Sequence, residues 1–288
     1  MKQYLSLVKF SHTIFALPFA LLGFFLAIYR LDDIQMPWGT LFYVLLCMVF
    51  ARNSAMAFNR YLDRDIDGQN PRTVNREIPS GVITPGAALL FVLLNVLLFV
   101  ITAWLINPMC FYLSPVALVV ILGYSYTKRF TFLCHFVLGL GLALAPVGAY
   151  LAVGGTFALL PVLYAVAVLF WVSGFNIIYA LQDEEFDRKN ELSSVPVTLG
   201  GTNALRLSTA LHLGCAMTMT IAGYVLIAEY ATAGWVSGLA TAIFMLLLAY
   251  QHTLIKPHDL SRINLAFFTT NGIASLILGS MIIFDLLV

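Results

Sequence analysis

Nine long apolar segments separated by short polar connections constrain this chain more than any other feature. They lie near 11–30, 38–60, 84–106, 110–127, 131–153, 157–181, 203–228, 233–254 and 263–286. About 20 apolar residues in a helix, each advancing ~1.5 Å, cross the hydrocarbon of a bilayer. Stretches such as 89–98 and 245–248 are apolar at successive positions, whereas a membrane β-barrel strand alternates in polarity. The expected fold is therefore all-α, a polytopic membrane protein of nine helices forming one membrane domain over 1–288. A chain that is 61% hydrophobic and 10% charged excludes a water-soluble globule. The first segment has no small-residue cleavage site after it and reads as a retained helix.

The charges orient the bundle. Counting connections from the amino end, the tail and the even connections hold every Lys and Arg except Arg30 and Arg52. Basic loops stay on the cytoplasmic side, so the amino terminus and the even connections are expected there, in the cytoplasmic (inner) membrane. The longest polar segments, 61–83 and 182–202, fall on that side, and a polar active site should open there. A net charge of +1 carries no basic excess that would suggest nucleic acid. Cys47, Cys110, Cys134 and Cys215 lie in apolar stretches without paired spacing, so they read as reduced, buried thiols.

The two long polar segments repeat one pattern. The first opens Asn59-Arg-Tyr-Leu-Asp63-Arg-Asp-Ile-Asp67 and the second Tyr179-Ala-Leu-Gln-Asp183-Glu-Glu-Phe-Asp187. Residues four apart share one helix face, about 6 Å apart along the axis, and like charges there repel. Each D-x-x-x-D thus needs positive charge beside it. Asp63 to Asp183 and Asp67 to Asp187 are both 120 residues apart, which suggests two related helical halves converging on one pocket. One acidic cluster in a loop is most often solvated surface. Two at matching helix ends, where unpaired carboxylates are costly, argue for a ligand. Four carboxylates and the Asn59 amide oxygen form a hard donor set suited to Mg²⁺, an ion that keeps waters and shares phosphate oxygens with a substrate. The implied ligand is a diphosphate. Arg72 and Arg76, in Asn70-Pro-Arg-Thr-Val-Asn-Arg76, and Lys128, closing Tyr124-Ser-Tyr-Thr-Lys128, are candidates to hold its other oxygens, with Lys9 at the mouth of the first segment.

Arg52 stands seven residues before Asn59, two turns deeper on roughly the same face. An intramembrane arginine requires an anion, either one of the acidic residues or a carboxylate on a second substrate. Asn176 holds the matching place before Asp183. Most of the aromatic residues read as core and interfacial belts, with places near the ligand for Tyr124 and Tyr179 alone. His12, His135, His212, His252 and His258 show no metal-ligand spacing.

Together these residues resemble the UbiA superfamily of intramembrane prenyltransferases. The likeness rests on N-x-x-x-D-x-x-x-D at Asn59 to Asp67, N-R-x-x-P-S-G at Asn75 to Gly81, Y-x-x-x-K at Tyr124 to Lys128 and D-x-x-x-D at Asp183 to Asp187. It covers nearly the whole chain, and the opening Ser-His-Thr-Ile-Phe-Ala-Leu-Pro-Phe-Ala is similar to the 4-hydroxybenzoate polyprenyltransferase branch. The resemblance implies nine helices around a central cavity, Mg²⁺-dependent ionisation of a polyprenyl diphosphate, and capture of the allylic cation by an aromatic ring. It implies metal binding by Asn59, Asp63, Asp67, Asp183 and Asp187, and diphosphate binding by Arg72, Arg76 and Lys128. Arg52 falls near the acceptor carboxylate, with Asn176 and Tyr179 on the acceptor side. The family commonly has Asp where this chain has Asn176. An amide cannot accept a proton as a base, which leaves Asp183 to position or deprotonate the phenol.

The expected activity is prenylation of 4-hydroxybenzoate for quinone synthesis, either ubiquinone or menaquinone, with polyprenyl diphosphate, an aromatic acid and the lipid bilayer as partners and no obligate protein partner. Competing acceptors are 1,4-dihydroxy-6-naphthoate and a non-carboxylated haem or chlorin precursor. From another class, a secondary transporter also shows repeated helices with intramembrane charge.

Overall fold

Prolines and short polar caps decide where the apolar segments become helices. The computed structural model describes residues 2–8, 15–30, 36–256 and 258–288, and contains no β-strand among them. The helices are α1 (Lys2–Leu7), α2 (Leu17–Arg30), α3 (Trp38–Leu62), α4 (Arg64–Gln69), α5 (Pro85–Ile106), α6 (Pro108–Thr127), α7 (Cys134–Gly154), α8 (Leu159–Ala180), α9 (Glu184–Lys189), α10 (Val195–Leu199), α11 (Gly201–Glu229), α12 (Trp235–Leu254) and α13 (Asn271–Leu287). A π-helical turn, Leu265–Thr270, leads into α13. At α5 the Thr84 hydroxyl accepts from Ala87 N–H at 3.3 Å, with Pro85 in the first position. Proline there gives up an N–H that would lack a helical partner anyway. Asn107 alone separates α5 from α6. Its carbonyl oxygen accepts from Cys110 N–H at 2.8 Å, and its amide donates to Leu151 O on α7 at 2.9 Å.

Among the described residues, eight helices or continuous helical runs are long and apolar enough to cross a membrane. The ninth expected crossing, near 11–30, corresponds to α2, which has 14 residues; positions 11–14 lie outside the described residues. Helices α2, α7, α8, α11, α12 and α13 pack in succession, and α13 returns to α2. On one side of this ring, α3, α5 and α6 pack on one another, with α6 also against α7. Close approach depends on small residues, because lipid offers helices no hydrophobic drive to associate and contact must come from fit. A Cβ on Gly23 of α2 would stand 2.1 Å from Pro146 O of α7, and one on Gly174 of α8 would stand 2.4 Å from His212 of α11. Over half of the apolar window within 159–189 is buried, against 22% of that of α5, so α8 is the bundle's centre. Around it Trp171, Tyr164, Phe175, Phe19 and Phe244 are fully enclosed. All four cysteines are free thiols, but of the four expected to be buried only Cys215 is; Cys47, Cys110 and Cys134 are half-buried.

Candidate active site

Both acidic motifs sit where a long helical run breaks into a short one. Asp63 closes α3 and opens α4 at φ −89° and ψ 5°. Asp183 ends the 3-10 turn Leu181–Asp183 after α8 and precedes α9 at φ −103° and ψ 2°. Both backbones occupy the sparsely populated bridge region between helix and strand, a local likeness between the halves that matches their spacing. The first break leaves the hydrogen-bond ladder intact, since Asp63 N–H donates to Asn59 O at 2.9 Å and Asp67 N–H to Asp63 O at 2.7 Å. Asn59, Asp63 and Asp67 therefore succeed one another along one face at one-turn intervals.

The repulsion built into these motifs is met by Lys and Arg, some from within or just after the first motif and some from distant segments. Asp63 is 2% exposed; its Oδ2 lies 2.7 Å from Lys128 Nζ and accepts from the Asn59 amide at 3.0 Å, while its Oδ1 lies 3.3 Å from Arg129. Arg129 also donates to Leu62 O at 2.8 Å. Arg76 Nη1 donates to both oxygens of Asp67, at 2.7 and 2.8 Å, and buried Arg60 stands 4.0 Å away. Asp183 receives a two-pronged fork from Arg72, Nε to Oδ1 at 3.0 Å and Nη2 to Oδ2 at 2.5 Å. Asn70 orders that arm: its side-chain oxygen accepts from Arg72 N–H at 2.9 Å, and its amide reaches Asp183 at 3.5 Å.

These contacts join the halves. Arg72, from the segment following the first motif, holds an acid of the second motif 111 positions away. A backbone bond from Ser193 N–H to Lys128 O at 2.7 Å ties the segment after the second motif to the end of α6. Burial disfavours the Arg72 charge, but its bonds to Asp183 outweigh that and hold the guanidinium pKa above its ordinary value. The Arg72 guanidinium also lies 5.8 Å from the centre of the Tyr179 ring, within cation–π range. Tyr124 lies within electrostatic reach of Arg52, Arg60 and Asp63, which connects the deep arginine to the first motif.

A paired set of acids and bases, partly buried at one end of an apolar bundle and split between two related halves, is matched in sequence as well as in shape. The model of the UbiA prenyltransferase family matches residues 16–273. The chain belongs to this family. It is 31% identical to the 4-hydroxybenzoate octaprenyltransferase of Tolumonas auensis over 86% of this chain and 85% of that one. It is 30% identical to the enzyme of the same name from a Janthinobacterium species over 88% of each. Among solved structures, the apo form of a UbiA homolog from Aeropyrum pernix is 32% identical and superimposes with a TM-score of 0.82 over 95% of this chain and 98% of that one. A UbiA homolog from Archaeoglobus fulgidus bound to GPP and Mg²⁺ shares the fold at 21% identity, with a TM-score of 0.75 over 99% of this chain and all of that one. This chain is an integral-membrane prenyltransferase, and the transporter alternative falls.

Of the residues singled out in the prenyltransferase sequence, Asn59, Asp63, Asp67, Arg72, Arg76, Lys128 and Asp183 meet in this ion-paired network. Asp187 forms no salt bridge among the described residues; it lies within hydrogen-bonding reach of Ser194 and near the charges of Lys128 and Arg72. The Asn176 amide is turned to its own helix, donating to Val172 O at 2.8 Å. Lys9 lies outside the described residues. Three partners went unnamed at the sequence level: Arg129, beside Lys128; Arg60, beside Asn59; and Asn70, two before Arg72. Their signal was adjacency to chosen residues, but the positive-inside rule accounted equally well for Arg129 and Arg60, and Asn70 read as an ordinary polar loop residue. A groove of about 360 Å³ beside α4, lined by Arg64, Asp65, Gly68, Ile78, Pro79 and Pro85, includes none of the predicted site residues.

Among the described residues no three His, Cys, Asp or Glu side chains stand close enough to hold a metal ion by themselves. Mg²⁺ does not require such a cluster, because it is rarely caged by protein alone and completes its octahedron with water and substrate phosphate. The donor chemistry fits as well, since every carboxylate oxygen is a hard ligand and those of Asp63, Asp67 and Asp183 already carry cationic partners. Those partners are themselves phosphate-binding groups. Acids and bases could exchange each other for a metal–diphosphate pair with little net change in buried charge.

Proposed function

We propose that this prenyltransferase transfers a polyprenyl group from its diphosphate to a ring carbon of 4-hydroxybenzoate, in quinone synthesis, working as one membrane domain with its motif-bearing end in the cytoplasm. The observation carrying this reading is the Arg72–Asp183 fork, which couples the two acidic motifs through a group suited to phosphate. The relatives' name supports the hydroxybenzoate acceptor and an octaprenyl donor, and the GPP and Mg²⁺ of the Archaeoglobus structure support the donor chemistry.

On this reading Asn59, Asp63, Asp67, Asp183 and Asp187 hold Mg²⁺, which when bound supplies Lewis-acid withdrawal of charge from the diphosphate. Arg72, Arg76 and Lys128 leave their carboxylates to bind the phosphate oxygens, with Arg129 now added to them and Tyr124 and Lys9 beside them. Their charge–dipole and charge–charge contacts strengthen as the leaving diphosphate gains negative charge. The carbon–oxygen bond breaks, the allylic cation is captured by the ring carbon ortho to the hydroxyl, and loss of the ring proton restores aromaticity. Arg52, deeper in the bundle, binds the acceptor carboxylate, with Asn176 and Tyr179 nearby. Asp183 positions or deprotonates the phenol. The apolar walls keep water from the cation.

The test is mass analysis of products from purified protein given Mg²⁺, a short prenyl diphosphate and either 4-hydroxybenzoate or 1,4-dihydroxy-6-naphthoate. Prenylated hydroxybenzoate is expected, and its loss in Asp63→Ala and Asp183→Ala. Product from the naphthoate alone would reassign the acceptor, and full activity in either variant would remove the motifs from the chemistry.

A further inference from the structure

The π-helical turn Leu265–Thr270 interrupts an otherwise apolar helical run at the level of the ion-paired network. Such wide turns are rare, and this one is held open by side chains. Thr270 Oγ1 donates to Leu265 O at 3.0 Å, and the Asn271 amide to Phe267 O at 2.9 Å and Ala266 O at 3.2 Å. Fully buried Gln251 of α12 donates to the same Ala266 O at 3.0 Å, and Trp171 of α8 donates its indole N–H to the Asn271 side-chain oxygen at 2.9 Å. Four polar contacts beyond the turn's own Thr270 bond thus hold this backbone in place.

The turn brings two consecutive residues onto one ring. Phe267 stacks on Tyr179 with centroids 4.1 Å apart and planes 32° apart, and Phe268 meets the same ring edge-on at 5.9 Å. Residues one apart on a regular helix point about 100° from each other and do not converge so readily. Phe267 is itself wedged edge-on against Phe175 at 5.2 Å. Tyr179 in turn carries the Arg72 guanidinium, 5.8 Å from its ring centre, and Arg72 grips Asp183. A stacked path therefore runs from the last helix to a candidate diphosphate cation.

We propose that this π-turn positions the diphosphate site, with Phe267 and Phe268 clamping Tyr179 so that its ring holds Arg72 in place. The inference rests on Arg72 binding diphosphate, as proposed above, and adds Phe267 as a positioning residue acting through Tyr179. Inorganic diphosphate isolates the effect, because it lacks an isoprenoid tail that Phe267 could touch directly. Its affinity is measured calorimetrically with Mg²⁺ on the full-length protein in detergent, for wild type, Phe267→Leu, Phe267→Tyr, Tyr179→Leu, Arg72→Ala and Phe267→Leu/Arg72→Ala. Phe267→Leu and Tyr179→Leu are expected to weaken binding about 3- to 10-fold, the effect of one aromatic contact on an affinity constant. Phe267→Tyr should retain wild-type affinity, and Phe267→Leu should add no loss once Arg72 is gone. Unchanged affinity in Phe267→Leu, or in Tyr179→Leu if the first variant does not fold, overturns the inference alone, as does an equal loss in the Arg72→Ala background. Wild-type protein that binds no diphosphate with Mg²⁺ overturns it together with the assignment of Arg72.

Discussion

Asp67 separates the structural use of a carboxylate from its chemical use. Arg76 holds both its oxygens, and Arg60 Nη1 lies 4.0 Å away; the Asp67 and Arg60 side chains are each 6% exposed, that of Arg76 24%. Removing one member of a buried ion pair costs about 3–5 kcal/mol, because the other charge is stranded in a medium that solvates it poorly. Asp67→Asn keeps the volume and one acceptor oxygen, and Arg76 can turn toward water. Arg60 has no such route; its Nε has no hydrogen-bond partner among the described residues, and Glu77 offers only longer-range compensation. The expected loss is about 3 kcal/mol, the low end of that range. Replacing the stranded cation by an apolar chain in Asp67→Asn/Arg60→Met should recover about 2 kcal/mol of it. Unfolding of the purified protein in detergent, titrated with SDS, compares wild type, both single variants and the double, while prenyl transfer is assayed in parallel. Stability should return in the double variant without activity. A double variant no more stable than Asp67→Asn would refute stranded charge as the cause, and wild-type transfer in Asp67→Asn would take Asp67 out of the chemistry.

Further outcomes follow from the same geometry. Lys128→Ala should raise KM for prenyl diphosphate at least about 10-fold, the worth of one charge-assisted hydrogen bond, in initial-rate assays at fixed acceptor; an unchanged KM would confine Lys128 to balancing Asp63. Arg52→Ala should weaken the aromatic acid by a similar factor and leave the diphosphate KM alone, whereas equal losses for both substrates would point to neutralisation of the acidic motifs instead. Chelation with EDTA should abolish transfer and excess Mg²⁺ restore it; activity that persists after exhaustive chelation would contradict the metal assignment. Gly23→Ala places a Cβ 2.1 Å from Pro146 O, backbone that cannot swing aside, so separation of α2 from α7 should cost on the order of 1–3 kcal/mol and lower the yield of folded protein in membranes. Normal yield and an unchanged unfolding midpoint would show that the two helices have slack.

The chain's own pattern settled the fold class and the helical runs after α2, and it marked the candidate site. Segment hydropathy and length are local quantities, so the runs after α2 emerge within a few residues of their expected ends. The motifs were readable for a related reason: residues four apart on a helix share a face whatever surrounds them, so Asp63 with Asp67 could be recognised before any packing was known. The equal spacing to Asp183 and Asp187 then pointed to two matching halves, and the shared bridge-region backbone at Asp63 and Asp183 agrees with it.

Tertiary structure alone decided which cation meets which acid. Arg72 lies nearer in sequence to Asp67 than to Asp183, yet it grips Asp183, because the segment after α4 folds back across the gap between the halves. Arg129 and Arg60 were indistinguishable from ordinary positive-inside charges until the fold set Arg129 beside Asp63, through the packing of α3 against α6, and Arg60 beside Asp67, across the break between α3 and α4. Phe267 had no sequence signal at all: one phenylalanine in an apolar helix looks like any other, and only a π-turn held by Gln251, Asn271 and Thr270 singles it out. Local periodicity specifies faces, but it does not specify partners: Arg129 meets Asp63 across 66 residues and Arg72 meets Asp183 across 111, separations that no short window of sequence contains.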